Sequence, residues 1–97
     1  MEAITIFTED EKKVMRPLLK AKEQGDVKAA IKFLEMWIEG HKRALTEYKK
    51  YPENETVDCG DLSDLFPDLF TVKAQIGELE NEIAESEESL TRLRENK

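Results

Sequence analysis

Two side chains in this 97-residue sequence are of types that often perform nucleophilic or metal chemistry: the single histidine, His41, and the single cysteine, Cys59. One histidine is too few for a multi-histidine metal site or for a catalytic triad with a spare base. Cys59 follows Asp58, and neighbouring carboxylates raise the pKa of a thiol and make it a poor nucleophile. We therefore predict no catalytic residues, no enzyme activity and no cofactor, with His41 as a core histidine.

Four aspartates recur every three or four residues around Gly60, and such a pattern could supply oxygen ligands to a cation. They are Asp58, Asp61, Asp64 and Asp68. A calcium loop of the EF-hand type instead needs acids at alternate positions and a glutamate at about the twelfth position. Helix capping and solubility explain the aspartates better, so no metal site is predicted.

The net charge of -7 is unevenly distributed along the chain. Residues 1–25 sum to 0, residues 26–50 to +2, residues 51–72 to -6 and residues 73–97 to -3. No strongly basic field is present to hold a nucleic-acid backbone, so direct nucleic-acid binding is not expected. Ordered carboxylates of the last segment could instead imitate phosphates in the basic groove of a nucleic-acid-binding protein. The glutamates that would serve this alternative function, an acidic decoy, are Glu78, Glu82, Glu85, Glu87 and Glu88.

The sequence shows neither a secretory signal at its start nor an apolar run long enough to cross a membrane. A single cysteine makes no internal disulfide, which fits a reducing compartment. We expect a cytoplasmic protein without membrane contact.

The element that must position any functional surface is residues 26–51, which predict one long helix with two apolar stripes. Steps of four and three residues define the first stripe: Val27, Ile31, Leu34, Ile38, His41, Leu45 and Tyr48. The same alternation defines the second stripe: Ala30, Phe33, Trp37, Gly40 and Ala44. Because each stripe must be covered, this helix needs at least two neighbours.

Residues 8–24 predict a shorter helix that precedes the central one. Thr8 and Glu11 have the spacing of a capping box, and Pro17 predicts a kink or a break. Residues 1–7 predict an extended arm. A tight turn at Gly25 then leads into the central helix.

Residues 52–65 predict an acidic connection, and residues 66–96 predict a C-terminal coiled-coil helix. The apolar seam of this helix is Leu69, Val72, Ile76, Leu79, Ile83, Ser86, Leu90 and Leu93. The connection lets the chain double back, so the helix should pack antiparallel against the first stripe. The predicted register pairs Leu69 with Tyr48, Ile76 with His41, Ile83 with Leu34 and Leu90 with Val27.

The predicted fold is one all-α domain over residues 1–97: a long, antiparallel, coiled-coil-like helical hairpin with a short kinked N-terminal helix, a three-helix arrangement. The N-terminal helix offers too few apolar residues to cover the second stripe, so we expect a homodimer. The predicted protein interface comprises Phe33, Met36, Trp37, Leu62, Leu65, Phe66 and Phe70.

Large apolar side chains beyond the needs of one hairpin favour a non-catalytic protein-binding module, acting as a small adaptor, regulator or inhibitor. Its expected partners are a second copy and another protein. The acidic decoy is the first alternative. A third is an oligomeric sponge for a small anionic ligand, held by Lys42 and Arg43 of neighbouring subunits.

Overall fold

The computed structural model of the chain describes residues 1–95 and is all-α over that range, without β-strands. Its elements are helices α1 (Glu9–Glu23), α2 (Val27–Tyr48), α3 (Asp61–Leu65) and α4 (Val72–Glu95), with a 3-10 turn at Pro67–Leu69. Helix α4 packs along α2, and α1 packs on another face of α2. The predicted fold class, a long helical hairpin with a shorter N-terminal helix, is confirmed.

Helix α1 begins at the predicted capping box. The Thr8 hydroxyl accepts the amide of Glu11 at 3.2 Å, and the Glu11 carboxylate accepts the amide of Thr8 at 2.9 Å. The helix continues through Pro17, so the predicted break does not occur. Pro17 lies on the exposed side of α1, where water can hydrate the carbonyl of Lys13 that has lost its helical partner.

Helix α2 starts after Asp26, whose carboxylate accepts the amide of Ala29, and it ends at Tyr48 rather than at the predicted residue 51. The residue before a proline is disfavoured in the helical region, and Pro52 imposes this restriction on Tyr51. The Tyr51 amide instead donates to the Tyr48 carbonyl at 3.1 Å and closes a short turn.

Helix α4 starts at Val72, six residues later than predicted. Phe66 and Phe70 both have non-helical backbone angles, and Pro67 lies in the 3-10 turn between them. The Thr71 hydroxyl then accepts the amide of Ala74 at 3.2 Å and caps the new helix. The predicted helix end at residue 96 lies outside the described residues.

Helices α2 and α4 run antiparallel as predicted, but in a different register. Lys42 pairs with Glu87 at 3.2 Å and Glu35 pairs with Arg94 at 3.2 Å. The predicted register placed Gln75 opposite Lys42, so α4 is displaced along α2 from its predicted position. The early end of α2 and the late start of α4 cause this displacement, because the connection between them is longer than the sequence pattern indicated.

The displacement changes what covers the two ends of the predicted seam. Val27, predicted to contact Leu90, is therefore exposed. At the other end, Leu69 is also exposed instead of packing near Tyr48. The middle of the first stripe and of the α4 seam is buried as predicted. These residues are Leu34, Ile38, Leu79, Ile83, Ser86 and Leu90.

The second stripe of α2 is covered within the subunit, which corrects the expectation that it would stay open. The Phe7 ring lies against Gly40 and 5.5 Å from the Trp37 ring, centroid to centroid. Met15 of α1 is buried, as is Phe33 on the stripe. The N-terminal arm supplies much of the missing apolar surface, and Trp37 stays partly exposed.

Three backbone segments meet at the end of the hairpin where α2 ends and α4 begins. Residues 1–3, 55–58 and 70–72 form this clasp, through one parallel and one antiparallel bridge. The Asp58 amide donates to the Met1 carbonyl at 2.7 Å, and the Val57 amide donates to the Phe70 carbonyl at 2.7 Å. Val57 and Val72 are fully buried beside the clasp. The clasp therefore fixes both ends of the intervening segment 59–69.

Candidate interaction surface

The segment between the two ends of the clasp presents a group of large apolar side chains to solvent. We define the loop patch as Leu62, Leu65, Phe66 and Leu69, whose exposed fractions are 61%, 70%, 53% and 66%. Leu62 and Leu65 lie on α3, Leu69 lies in the 3-10 turn, and Phe66 joins the two with a non-helical backbone. Single exposed apolar residues are ordinary on protein surfaces, whereas four large ones within eight residues of sequence make this segment a candidate interaction surface.

Helix α3 turns its apolar side outward and a small polar side chain inward. Ser63 is 3% exposed, and its hydroxyl donates to the Gly60 carbonyl at 2.7 Å. The same hydroxyl accepts the amide of Cys59 at 2.9 Å. A surface helix ordinarily buries its apolar face. The reversed orientation of α3 is held by these hydrogen bonds and leaves the loop patch in water.

Backbone hydrogen bonds order the rest of the segment. The Phe66 amide donates to the Leu62 carbonyl at 2.9 Å, and the Leu69 amide donates to the Phe66 carbonyl at 3.0 Å. With the clasp at both ends, the loop patch is a structured surface and not an open connection. The acidic connection predicted for residues 52–65 thus contains the start of a folded unit.

The structure separates the residues predicted to form the protein interface. Leu62, Leu65 and Phe66 lie together on the loop patch. Phe70 is half-buried beside the clasp. On α2, Phe33 is buried, and Met36 and Trp37 are half-buried, with the Trp37 ring beside that of Phe7. Phe33 therefore offers little surface to a partner in this conformation.

Leu69 belongs to the loop patch, and the sequence pattern had placed it in the seam of α4. Its distances of three and seven residues from Phe66 and Leu62 were visible in the sequence, as was Pro67, which ends one helical turn and starts the next. The sequence grouped Leu69 with the apolar cluster around Pro67 and also with the seam of α4, and the structure places it in the 3-10 turn before α4.

The glutamates proposed for the acidic alternative are all exposed on α4. Glu87 pairs with Lys42, and Glu88 pairs with Arg92. The other three, Glu78, Glu82 and Glu85, are spaced by four and three residues and share one helical face. Among residues 1–95 these three carboxylates form no ion pair.

The residues first considered for chemistry have structural surroundings. His41 is 3% exposed, and its Nδ1 donates to the Trp37 carbonyl at 2.8 Å, as predicted for a core histidine. Cys59 is a free thiol whose pKa is raised above its ordinary value by partial burial and by the carboxylates of Asp58 and Glu78. A raised pKa reduces the thiolate fraction and with it the nucleophilicity of this side chain.

The two cations proposed for an anion sponge are engaged within the subunit. Lys42 pairs with Glu87, and the Arg43 guanidinium donates to Glu11 at 2.7 Å and to the Ile6 carbonyl at 3.1 Å. The hydrogen bond from Arg43, followed by that from the Thr8 amide, lowers the pKa of Glu11 to about 2. These contacts tie the arm and α1 to α2.

Over residues 1–95, no three His, Cys, Asp or Glu side chains come close enough to one another to bind a metal ion. In the same part of the chain, no helix combines the length and apolar character needed to cross a membrane. No family model matches this chain, and neither the curated proteins nor the solved structures contain a significant match to it.

Proposed function

We propose that this protein is a non-catalytic protein-binding module, acting as an adaptor, regulator or inhibitor, and that the loop patch is its contact surface. The supporting observation is that helix α3 buries Ser63 and exposes its large apolar side chains. Four such side chains in water give no benefit to the folded subunit by itself. Each contributes about 1.5–3 kcal/mol if a partner buries it fully.

The order of the loop patch also supports binding. Ordering a flexible segment on association costs about 0.5–1.5 kcal/mol for each immobilised side chain, and backbone ordering adds to this. The clasp and the Ser63 hydrogen bonds fix the backbone before any partner arrives. A surface held in this way retains more of its burial energy as affinity.

We place the protein in the cytoplasm, since its single cysteine is a free thiol.

The test compares two double variants as baits for partner capture from the native host. Leu65→Ser with Phe66→Ser removes half of the loop patch, and Val14→Ser with Leu19→Ser removes two exposed apolar side chains of α1. We expect the wild type and the α1 variant to capture the same protein with similar affinity. The loop-patch variant should bind it at least about 30-fold more weakly, because two apolar contacts are lost.

Circular dichroism should show the same helix content in both variants, since none of the four replaced side chains is buried in the core. Equal capture by the loop-patch variant, or no captured protein with the wild type, would contradict the proposal.

A second candidate function, the acidic decoy, is supported by the row of Glu78, Glu82 and Glu85. If the captured protein binds nucleic acid, this chain should compete with the nucleic acid for it. The triple variant to glutamine should remove that competition, whereas Glu87→Gln with Glu88→Gln, which changes paired carboxylates, should retain most of it. Competition that survives the triple variant would reject the decoy.

A further inference from the structure

The loop patch lies in an acidic surrounding. Asp61, Asp64 and Asp68 alternate with its apolar side chains and are themselves exposed. Residues 51–72 carry a charge of -6 and include no Lys, Arg or His. A partner that buries the apolar side chains must therefore bring its own surface close to several carboxylates.

The negative field continues from the loop onto α4. Glu78 is close enough to Cys59 to act on its thiol together with Asp58. From Glu78, the row of exposed carboxylates continues along one face of α4 through Glu82 and Glu85. The acidic surface thus extends from the loop patch along the hairpin.

A second copy of the chain is a poor occupant of this surface. In a two-fold symmetric contact the same surface patch lies on both sides, so Asp61, Asp64 and Asp68 of one copy would approach the aspartates of the other. Juxtaposed like charges cost several kcal/mol in an interface. No basic residue of the 51–72 segment is available to offset that repulsion. A partner with basic residues around an apolar stripe meets both the loop patch and its carboxylates.

We infer that the loop patch accepts a cationic amphipathic segment of another protein, with Leu- or Phe-type side chains on one face and Lys or Arg beside them. This inference rests on the proposed function, since it assigns a chemistry to the same surface. The apolar face supplies most of the affinity, and the flanking charges select the partner and speed its association.

The test uses synthetic helical peptides of about 18 residues, long enough for an isolated helix in water. One peptide has Leu and Phe at helical spacing with Lys at the other positions, and a second replaces every Lys with Gln. Calorimetric titration into the full chain should show the Lys peptide binding at least about tenfold more tightly, with the preference falling as salt is raised.

Two charge variants of the full chain locate this effect. Asp61→Asn, Asp64→Asn and Asp68→Asn together should remove most of the preference for the Lys peptide. Asp10→Asn, Glu23→Gln and Glu95→Gln remove the same number of charges from other exposed positions. This matched control should change the preference by less than about twofold, because its charges lie outside the contact.

The outcomes separate the two proposals. If the Leu65→Ser, Phe66→Ser variant binds the Lys peptide as the wild type does, the loop patch is not the contact surface and the proposed function fails. If that variant no longer binds either peptide but the aspartate variant keeps the wild-type preference for the Lys peptide, the loop patch is supported as the contact surface and the cationic partner is rejected. Sedimentation could instead show a wild-type dimer and a monomeric loop-patch variant. A second copy would then occupy the loop patch, which would overturn the inference.

Discussion

The phenol of Tyr48 accepts the amide of Ile4 at 2.9 Å in a buried position, and this hydrogen bond connects the N-terminal arm to the end of α2. Tyr48→Phe leaves the Ile4 amide without its acceptor. We expect the free energy of unfolding, measured by urea denaturation, to fall by about 1–3 kcal/mol. Tyr51→Phe removes an exposed hydroxyl three residues away and should change it by no more than about 0.5 kcal/mol. Equal effects of the two substitutions would contradict this role for Tyr48.

The ion pair of Glu11 and Arg43 makes stability depend on pH in the acid range. The pKa of Glu11 is lowered from 4.5 to about 2 in the folded chain, so its contribution is fully present above about pH 4.5. It is lost as the pH falls toward 2, where the folded state must also take up the proton. The stability difference between wild type and Glu11→Gln should therefore shrink over this range.

The control for this pH dependence is Glu9→Gln, which removes a charge from the same first turn of α1 without contacting Arg43. Glu9 forms an exposed ion pair with Lys12, and such pairs contribute little, so denaturation at pH 7 should show a smaller loss of stability for this variant than for Glu11→Gln. A constant difference between wild type and Glu11→Gln over that range would show that the ion pair is not formed in solution.

Two helix-interior glycines differ in what surrounds them. A Cβ at position 40 would overlap the Phe7 ring and lie 2.7 Å from its Cδ1 atom, whereas a Cβ at position 77 meets nothing within 4 Å. Alanine gains about 1 kcal/mol over glycine in a helix interior. Gly77→Ala should therefore raise the melting temperature. Gly40→Ala should lower it, because displacing Phe7 costs about 1–3 kcal/mol, more than the helix gains. A rise in both variants would mean that the arm moves aside freely.

The helices and their buried faces could be predicted from spacing in the sequence, because a periodic apolar pattern indicates which residues must be buried. The capping residues Thr8 and Asp26 marked two helix starts for the same local reason. The register between α2 and α4 could not be predicted from this spacing, since it depends on how many residues the connection between them uses. That number was set by Pro52, Pro67 and the clasp, whose pairings join residues far apart in the chain.

The candidate surface was predicted in part. Apolarity and prolines identified Leu62, Leu65 and Phe66, but only the structure shows that they point outward, since that orientation depends on the burial of Ser63. The cover over Trp37 was missed because it comes from Phe7, and an aromatic residue in a short arm has no periodicity to indicate its position.

At the scale of the whole molecule, the subunit measures 43 × 25 × 22 Å, with the loop patch at one end of the hairpin and the aromatic group under the arm along its side. Phe7→Ala removes the cover of Trp37 and Gly40 and opens the second stripe. We expect a loss of about 2–3 kcal/mol in stability, less than for a fully buried phenylalanine. We also expect new self-association, measured by sedimentation velocity at several concentrations.

Phe66→Ala serves as the control, since it shortens an exposed aromatic side chain and leaves the second stripe covered. Its sedimentation should match that of the wild type. If Phe7→Ala sediments as the wild type does at every concentration, the arm is not what keeps the stripe from associating.

The clasp joins Asp58, at the edge of the loop, to Met1, and the same short arm ends with the Phe7 ring against the only tryptophan. We expect a displacement of this loop to shift Phe7 through these few backbone units and so to change the surroundings of the indole. The chain thus contains an intrinsic optical probe: fluorescence emission at Trp37 can report events at the distant end of the rod without an attached dye.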